Sequence, residues 1–155
     1  MDKLYLFNPF NIMKISEKEI VELYNEVFEE LLKDPNTMYE YAHNIEVYSN
    51  LNYITGEIIA RLTYDIASLK TDIQIERDIQ TVEQRKNWNI ERDGKHPAMA
   101  YFEALGTQIC KDKIKKQADK ERSIMRFKNA YKSTEEKINA LKKKMESIKF
   151  EEFNQ

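Results

Sequence analysis

The chain has few of the residues that form disulfides, metal sites or tight turns. Its 155 residues include one cysteine, two histidines, three glycines and three prolines. A single cysteine, Cys110, excludes an internal disulfide and fits a reducing compartment. So few glycines and prolines argue against a fold with many turns. The apolar runs are also short, whereas a bilayer-spanning helix needs about 20 apolar residues. The sequence therefore predicts a soluble, cytoplasmic protein without a membrane partner.

Charged residues are abundant instead. They make up 34% of the sequence, and the net charge of −2 conceals an uneven distribution. Residues 1–79 carry 7 Lys/Arg and 15 Asp/Glu, whereas residues 80–155 carry 18 and 12. An excess of opposite sign in each half indicates either a nucleic-acid surface or two halves that pair with each other.

A first helix is predicted over residues 16–33. Ser16 and Glu19 form an S-x-x-E capping box, which satisfies the free amides at a helix start. Apolar residues then recur at intervals of three and four, as on one face of a helix. This spacing predicts one broad apolar face that extends to Phe28 and Leu32.

Two longer helices are predicted over residues 35–92 and 97–149. Asp34 fits the N-cap of the earlier helix, because Pro35 after it suits a first helical position. Gly94 lies in the strongest turn signal of the sequence and can adopt the left-handed conformation that ends a helix. Apolar residues along both segments recur every three or four residues, as in the seam of a coiled coil.

The two long segments are nearly equal in length, which predicts that they fold back on each other. If the turn centres near Gly94, facing residues should have numbers that sum to about 189, within one helical turn of about 4 residues. This rule places Glu76 opposite Lys113, Trp88 opposite Tyr101, and Cys110 opposite Ile79 and Gln80. The predicted fold is all-α: a long antiparallel coiled-coil hairpin with a short N-terminal helix packed at its base, in a single helical domain over residues 1–155.

Three details of this hairpin are predicted with alternatives. The apolar N-terminal segment, residues 1–15, is expected to lie on the base of the hairpin or on a neighbouring protomer. Gly56 and Ala60, one turn apart, would permit close approach of the first helix or of a second subunit. Ser133 and Glu136 also fit a capping box, so the last helix either continues through them or breaks there.

Patterns that would support catalysis or metal binding are sparse. Glu40 and His43 have the E-x-x-H spacing of a di-iron site, but such a site needs a second pair. His96, the only other histidine, lies in the predicted turn. Cys110 has no predicted base beside it, and the isolated glycines form no phosphate loop. We therefore predict a protein that is not an enzyme and has no metal or cofactor.

Basic and aromatic residues gather near the predicted turn and are candidates for a binding site. They are Arg85, Lys86, Trp88, Arg92, Lys95, Tyr101 and Phe102, together with Lys113 and Lys116 on the last helix. Such residues can contact phosphates and stack on bases, and they are also typical of protein interfaces. Alternatively, facing acids could neutralise the lysines, and the rings could form a plug that closes the hairpin. We therefore predict a protein partner and keep a nucleic acid as the alternative partner.

The chain resembles the small helical early proteins of bacteriophages of low-GC Gram-positive hosts. The resemblance lies in Lys/Asn/Ile-rich usage and in the segments Ser133–Lys137 and Leu141–Glu146. It implies a protein that acts by binding a macromolecule, such as a host nuclease, a host defence system or a recombination module. We predict a non-enzymatic, homo-oligomeric accessory protein in the host cytoplasm that binds such a nucleic-acid-processing complex through the basic and aromatic residues at the turn. The alternative is a structural assembly or scaffold protein whose helices build a larger oligomer.

Overall fold

The structure, a computed structural model, describes residues 9–153 and is all-α over that range. Its helices are α1 (Pro9–Ile12), α2 (Glu17–Phe28), α3 (Met38–Lys86), α4 (Ile90–Asp93), α5 (Met99–Ile109) and α6 (Lys111–Phe153). The predicted fold class, a long helix pair packed against each other with a short N-terminal helix, is confirmed. The predicted packing of residues 1–8 lies outside the described residues.

The chain divides into two units by its internal contacts. The terminal unit contains the residues up to Arg61 together with those from Met125 onward, and the central unit contains Leu62–Ile124. Helices α3 and α6 contribute to both units. None of the helices within residues 9–153 is long and apolar enough to cross a membrane.

The terminal unit has an apolar core shared by α1, α2 and α3. Its buried members are Ile12, Ile20, Leu23, Val27, Val47, Leu51 and Ile54. The side chain of Arg61 links α3 to the N-terminal part of the chain, since its Nη1 donates to Ile15 O over 2.7 Å while its Nε pairs with Glu57 at 2.8 Å. The amphipathic spacing of α2 therefore specifies a face that α1 and α3 cover.

Helix α6 packs on α3 in the terminal unit with only partial burial of its apolar residues. Lys137 Nζ lies 5.4 Å from the centroid of the Tyr48 ring, and Lys144 Nζ lies 5.9 Å from that of Tyr41. As the residue number rises on α6 it falls on α3, so the two helices are antiparallel. Every described side chain of α6 in this unit is at least partly exposed.

The first helix ends earlier than predicted, at Phe28 rather than at residue 33. The cause is a pair of hydrogen bonds from α3: Leu32 N donates to Asn44 Oδ1 and Asn44 Nδ2 donates to Leu32 O, each over 2.9 Å. These bonds hold the chain before α3 in a non-helical conformation. Phe28 and Leu32 are consequently 50% and 42% exposed rather than part of the core face.

Helix α3 begins at Met38, so the predicted start at Asp34 and Pro35 is wrong. Thr37 and Glu40 form a reciprocal cap: Glu40 N donates to Thr37 Oγ1 over 3.2 Å, and Thr37 N donates to Glu40 Oε2 over 2.9 Å. This T-x-x-E pattern has the same geometry as the predicted box at Ser16, which the structure confirms. The signal that starts the helix is therefore Thr37 with Glu40, three residues after the predicted N-cap, Asp34.

The two capping carboxylates should make the helix starts sensitive to acid. Hydrogen bonds from the backbone of Ser16 lower the pKa of Glu19, and those from Asn36 and then Thr37 lower the pKa of Glu40, from an ordinary value of 4.5. A lowered pKa in the folded state contributes stability above the ordinary pKa, and that stability is lost as the pH falls through the folded value. We expect Glu40→Gln to lower the melting temperature at pH 7 but to have a much smaller effect near pH 3.

The matched control for this pH dependence is Glu46→Gln, because Glu46 is exposed on α3 and makes no hydrogen bond or ion pair with a described residue. Circular dichroism melting curves of both variants at the two pH values test the prediction. A loss from Glu40→Gln that is the same at both pH values, or a loss that Glu46→Gln reproduces, would contradict it.

The turn between the long segments contains more structure than predicted. Helix α3 ends at Lys86 rather than at residue 92, and the one-turn helix α4 follows with Asn89 as its N-cap. Gly94 ends α4 with a φ of 82° and a ψ of −166°. The positive φ favours glycine, as predicted, but the conformation is extended and not the left-handed helical one that was predicted. The next helix, α5, begins at Met99 instead of residue 97.

The second long segment is broken at Cys110 into α5 and α6. Cys110 is buried, and its Sγ lies 3.9 Å from Ile73 O, so the predicted position opposite Ile79 is wrong. The break interrupts the regular helical register on which that prediction depended. At Ser133, by contrast, α6 continues, and Thr134 Oγ1 donates to Ala130 O of its own helix over 3.0 Å instead of capping a new one.

The predicted close approach of the first helix at Gly56 and Ala60 is also wrong, whereas approach of a second subunit there stays a prediction. A Cβ added to Gly56 would meet nothing within 4 Å, and Ala60 is exposed. The close approach occurs at Gly106, where an added Cβ would lie 2.8 Å from both Arg77 O and Thr81 Oγ1. Helix α5 therefore packs on α3 through a glycine in the central unit.

Candidate binding site at the helical turn

Four aromatic rings of the central unit pack together beside the turn. The ring centroids of Trp88 lie 5.9 Å from Tyr101, 5.8 Å from Phe102 and 6.3 Å from His96. Tyr101 and Phe102 meet Trp88 edge to face, which is a favourable geometry for aromatic pairs. Trp88 Nε1 also donates to Gly94 O over 3.0 Å, so the ring fixes the turn. The predicted pairing of Trp88 with Tyr101 is confirmed.

This aromatic cluster has an inner and an outer side. Phe102 is 1% exposed and belongs to the core, so it cannot contact a partner directly. Trp88 is half-buried, and Tyr101 is 47% exposed. The cluster is thus the plug that the sequence offered as one alternative, and its exposed members are Tyr101 and His96.

The cations predicted around the turn differ in their surroundings. Arg92 is held by its neighbour, because its Nε and Nη2 lie 2.6 and 2.7 Å from the two carboxylate oxygens of Asp93. The same hydrogen bonds lower the pKa of Asp93. Arg85, Lys86 and Lys95 are exposed and make no ion pair with any residue between 9 and 153. These three side chains remain available to a partner.

The two predicted lysines of α6 also have different environments. Lys113 Nζ lies 2.6 Å from Glu76 Oε2, which confirms the predicted pairing, and a hydrogen bond to Glu76 raises the pKa of Lys113. Lys120 likewise pairs with Asp65 of α3. Lys116 is exposed without such a partner among the described residues. Facing acids therefore neutralise Lys113, as one alternative predicted, and leave Lys116 free.

Exposed apolar side chains on the same unit were missing from the predicted site. Val82 is 47% exposed, Met99 45% and Ile90 63%. Val82 and Met99 also line a groove of about 550 Å³ between α3 and α5, with Ala100 and Ala104. A signal for this face existed in the sequence, because apolar residues recur outside the predicted seam of α3 at positions 75, 79 and 82.

We define the tip surface as the exposed residues of this region that could contact a partner. It consists of Val82, Arg85, Lys86, Ile90, Lys95, Met99 and Tyr101. The surface combines apolar area with positive charge. Arg85 connects the two kinds of residue, since its Nη1 lies 3.9 Å from Met99 Sδ.

Two kinds of chemistry, metal binding and attack by a thiolate, have little support among the described residues. Between residues 9 and 153 no group of three or more His, Cys, Asp or Glu is placed to hold a metal ion. Burial, and then the charge of Glu76, raises the pKa of the Cys110 thiol. The raised pKa favours the protonated thiol over the thiolate, which is the nucleophilic form.

Comparison with known proteins finds no similarity that would assign a function. No family model matches the chain, and no curated protein or solved structure is significantly similar to it. No residue role can therefore be carried over from a relative.

Proposed function

We propose that this protein is a non-enzymatic accessory protein of a phage or mobile element, and that it binds a nucleic-acid-processing complex through the tip surface. The observation that supports the proposal is the exposure of apolar side chains beside cations that have no ion pair. Clustered exposed apolar residues mark interaction sites on soluble domains. Tyrosine and arginine, both present here, supply much of the energy at protein interfaces.

A protein component of that complex is the direct contact that the geometry favours. The rings of Trp88 and Phe102 pack against their neighbours, which leaves Tyr101 as the main ring surface for stacking on a base. The groove beside Val82 and Met99 offers apolar area, which suits a protein side chain better than a phosphate. Inhibition of a host nuclease and assistance to a recombination protein are both forms of this function.

Affinity capture from a bacterial lysate tests the proposal when matched variants are compared. We expect a double substitution, Arg85→Glu with Lys86→Glu, to reduce capture of the partner at least tenfold, because both charges lie on the tip surface. The control is Lys132→Glu with Lys143→Glu, which makes the same charge change on exposed residues of α6 in the terminal unit. Capture that survives nuclease treatment would indicate direct protein contact.

Two results would argue against the tip surface as the site. One is equal loss of capture by the two double variants, which would indicate an effect of overall charge alone. The other is full capture by the Arg85 and Lys86 variant. Circular dichroism spectra of both variants should show unchanged helicity, because all four residues are exposed.

A second candidate function, a structural assembly protein, is favoured by the partial burial of α6 in the terminal unit. Its apolar residues Tyr131, Ile138, Leu141, Met145 and Ile148 are all half-buried. A second copy of the chain could cover this face. Size-exclusion chromatography with light scattering separates the two functions, since a large ring or filament would support assembly and a small oligomer would support the tip proposal.

A further inference from the structure

A second groove lies in the terminal unit, between α3 and α6. It has a volume of about 580 Å³, and its lining includes Asn52 and Tyr53 of α3 with Tyr131, Glu135 and Lys142 of α6. These residues are far from the tip surface in sequence and belong to the other unit. The tip surface includes none of them.

Asn52 is the residue that indicates a ligand. Its side chain is only 8% exposed, and its buried Oδ1 accepts no hydrogen bond from any described residue. Buried polar atoms in proteins are almost always paired, because an unpaired acceptor loses its bonds to water without compensation. A group that donates a hydrogen bond into this groove would remove that cost.

The rest of the groove presents hydrogen-bond acceptors beside one cation, Lys142. Glu135 is exposed and forms no ion pair with a described residue, so its carboxylate remains available. Ser49 Oγ donates its own hydrogen to Ile45 O over 2.7 Å and so presents only lone pairs to the groove. The half-buried rings of Tyr53 and Tyr131 add two aromatic surfaces to these acceptors.

We propose that this groove binds a guanidinium group, supplied either by a small guanidine or by an arginine side chain of another polypeptide. A guanidinium is planar, carries five N–H donors and stacks on aromatic rings. Its donors satisfy Asn52 Oδ1 and the Glu135 carboxylate at the same time. The tyrosine rings provide the cation–π contact that such a group favours.

Two charged residues at the groove should affect binding in opposite directions. Glu135→Gln removes a charge-assisted acceptor and should weaken guanidinium binding about tenfold. Lys142→Gln removes a like charge from the same groove and should tighten binding about threefold. An anionic ligand would give the reverse order. Because both residues are exposed, the two substitutions distinguish a cationic from an anionic ligand without disturbing the core.

The test is an NMR titration of the full chain with methylguanidinium chloride, with sodium chloride at equal ionic strength as the control. We expect saturable shifts of the amides of residues 49–53 and 131–142. An acetylated Gly-Arg-Gly amide is titrated next. Binding of this peptide at least tenfold tighter than methylguanidinium would identify a polypeptide as the source, whereas equal or weaker binding would identify a small guanidine.

Asn52→Leu provides a further check, because it replaces the unpaired acceptor by an apolar side chain of similar volume. This variant should melt at a higher temperature and should lose the saturable shifts. If it does not fold, the Glu135 and Lys142 variants still decide the question. Shifts that sodium chloride reproduces, or tighter binding by Glu135→Gln than by Lys142→Gln, would overturn the proposal. Either result leaves the tip surface unaffected, since its test uses other residues.

Discussion

Replacing Gly106 with alanine should lower the free energy of unfolding by about 1–3 kcal/mol, although alanine is the better helix former. The added Cβ would lie 2.8 Å from Arg77 O, which is a backbone atom that cannot move without bending α3. It would lie equally close to Thr81 Oγ1, which is fixed by its own 2.7 Å hydrogen bond to Arg77 O. Helices α5 and α3 must therefore separate to accept the methyl group.

Gly56→Ala is the matched control, because the same methyl group enters the middle of α3 without a clash. Nothing lies within 4 Å of its added Cβ. This variant should stabilise the protein by about 0.5–1 kcal/mol through higher helix propensity alone. Urea unfolding followed by circular dichroism at 222 nm measures both changes. Effects of the same sign would contradict the close contact at Gly106.

The two glycines also show where prediction from sequence reaches its limit. Both lie in helices, and nothing local distinguishes the one that touches a neighbouring backbone from the one that faces open space. Close approach was predicted at Gly56 because a second small residue, Ala60, lies one turn away. The contact at Gly106 depends instead on the packing of α5 against Arg77 and Thr81 of α3, which are far from Gly106 in sequence.

Signals that act within a few residues were read correctly. The capping box at Ser16 needs only its own four residues, and the positive φ of Gly94 follows from the turn around it. The ion pair between Glu76 and Lys113 was also predicted, because equal arms about a turn near Gly94 place these two residues opposite each other. Each of these predictions depends on local chemistry or on a constant period.

Competing local signals were not resolved by the sequence alone. Asp34–Pro35 and Thr37–Glu40 both describe a helix start, and the second is the one used. The choice is made by Asn44, whose side chain bonds to Leu32 twelve residues earlier. Capping patterns contain no information about a contact over twelve residues. The predicted start of α3 was therefore three residues too early.

The candidate site was located by its composition, but its exposed members could not be identified. The aromatic and basic residues chosen near the predicted turn all lie in the central unit, and their role in binding stays a prediction. Phe102 turns inward and Tyr101 outward, because adjacent residues on a helix differ by about 100° in direction. The predicted site included both residues and did not distinguish them. The sequence also could not show that Arg92 bonds to Asp93 while Lys95 makes no ion pair.

The inward direction of Phe102 leads to the second large effect. Phe102→Ala should lower the free energy of unfolding by about 3–5 kcal/mol, as expected for removal of a fully buried aromatic ring. Phe102 is 1% exposed, and its ring contacts those of Trp88, His96 and Tyr101. The variant should also increase the exposure of Trp88 to water, which its fluorescence emission reports as a shift to longer wavelength.

Tyr101→Ala, on the adjacent residue, is the control that separates stability from binding. Because Tyr101 is 47% exposed, its removal should cost less than about half as much stability as the loss of Phe102. The same variant should weaken capture of the partner, since Tyr101 is the outward-facing ring of the tip surface. Phe102→Ala acts on capture only through the loss of folded protein, so cooling or a stabilising solute should restore it. Tyr101→Ala should not be rescued in this way, because the missing ring is the contact itself.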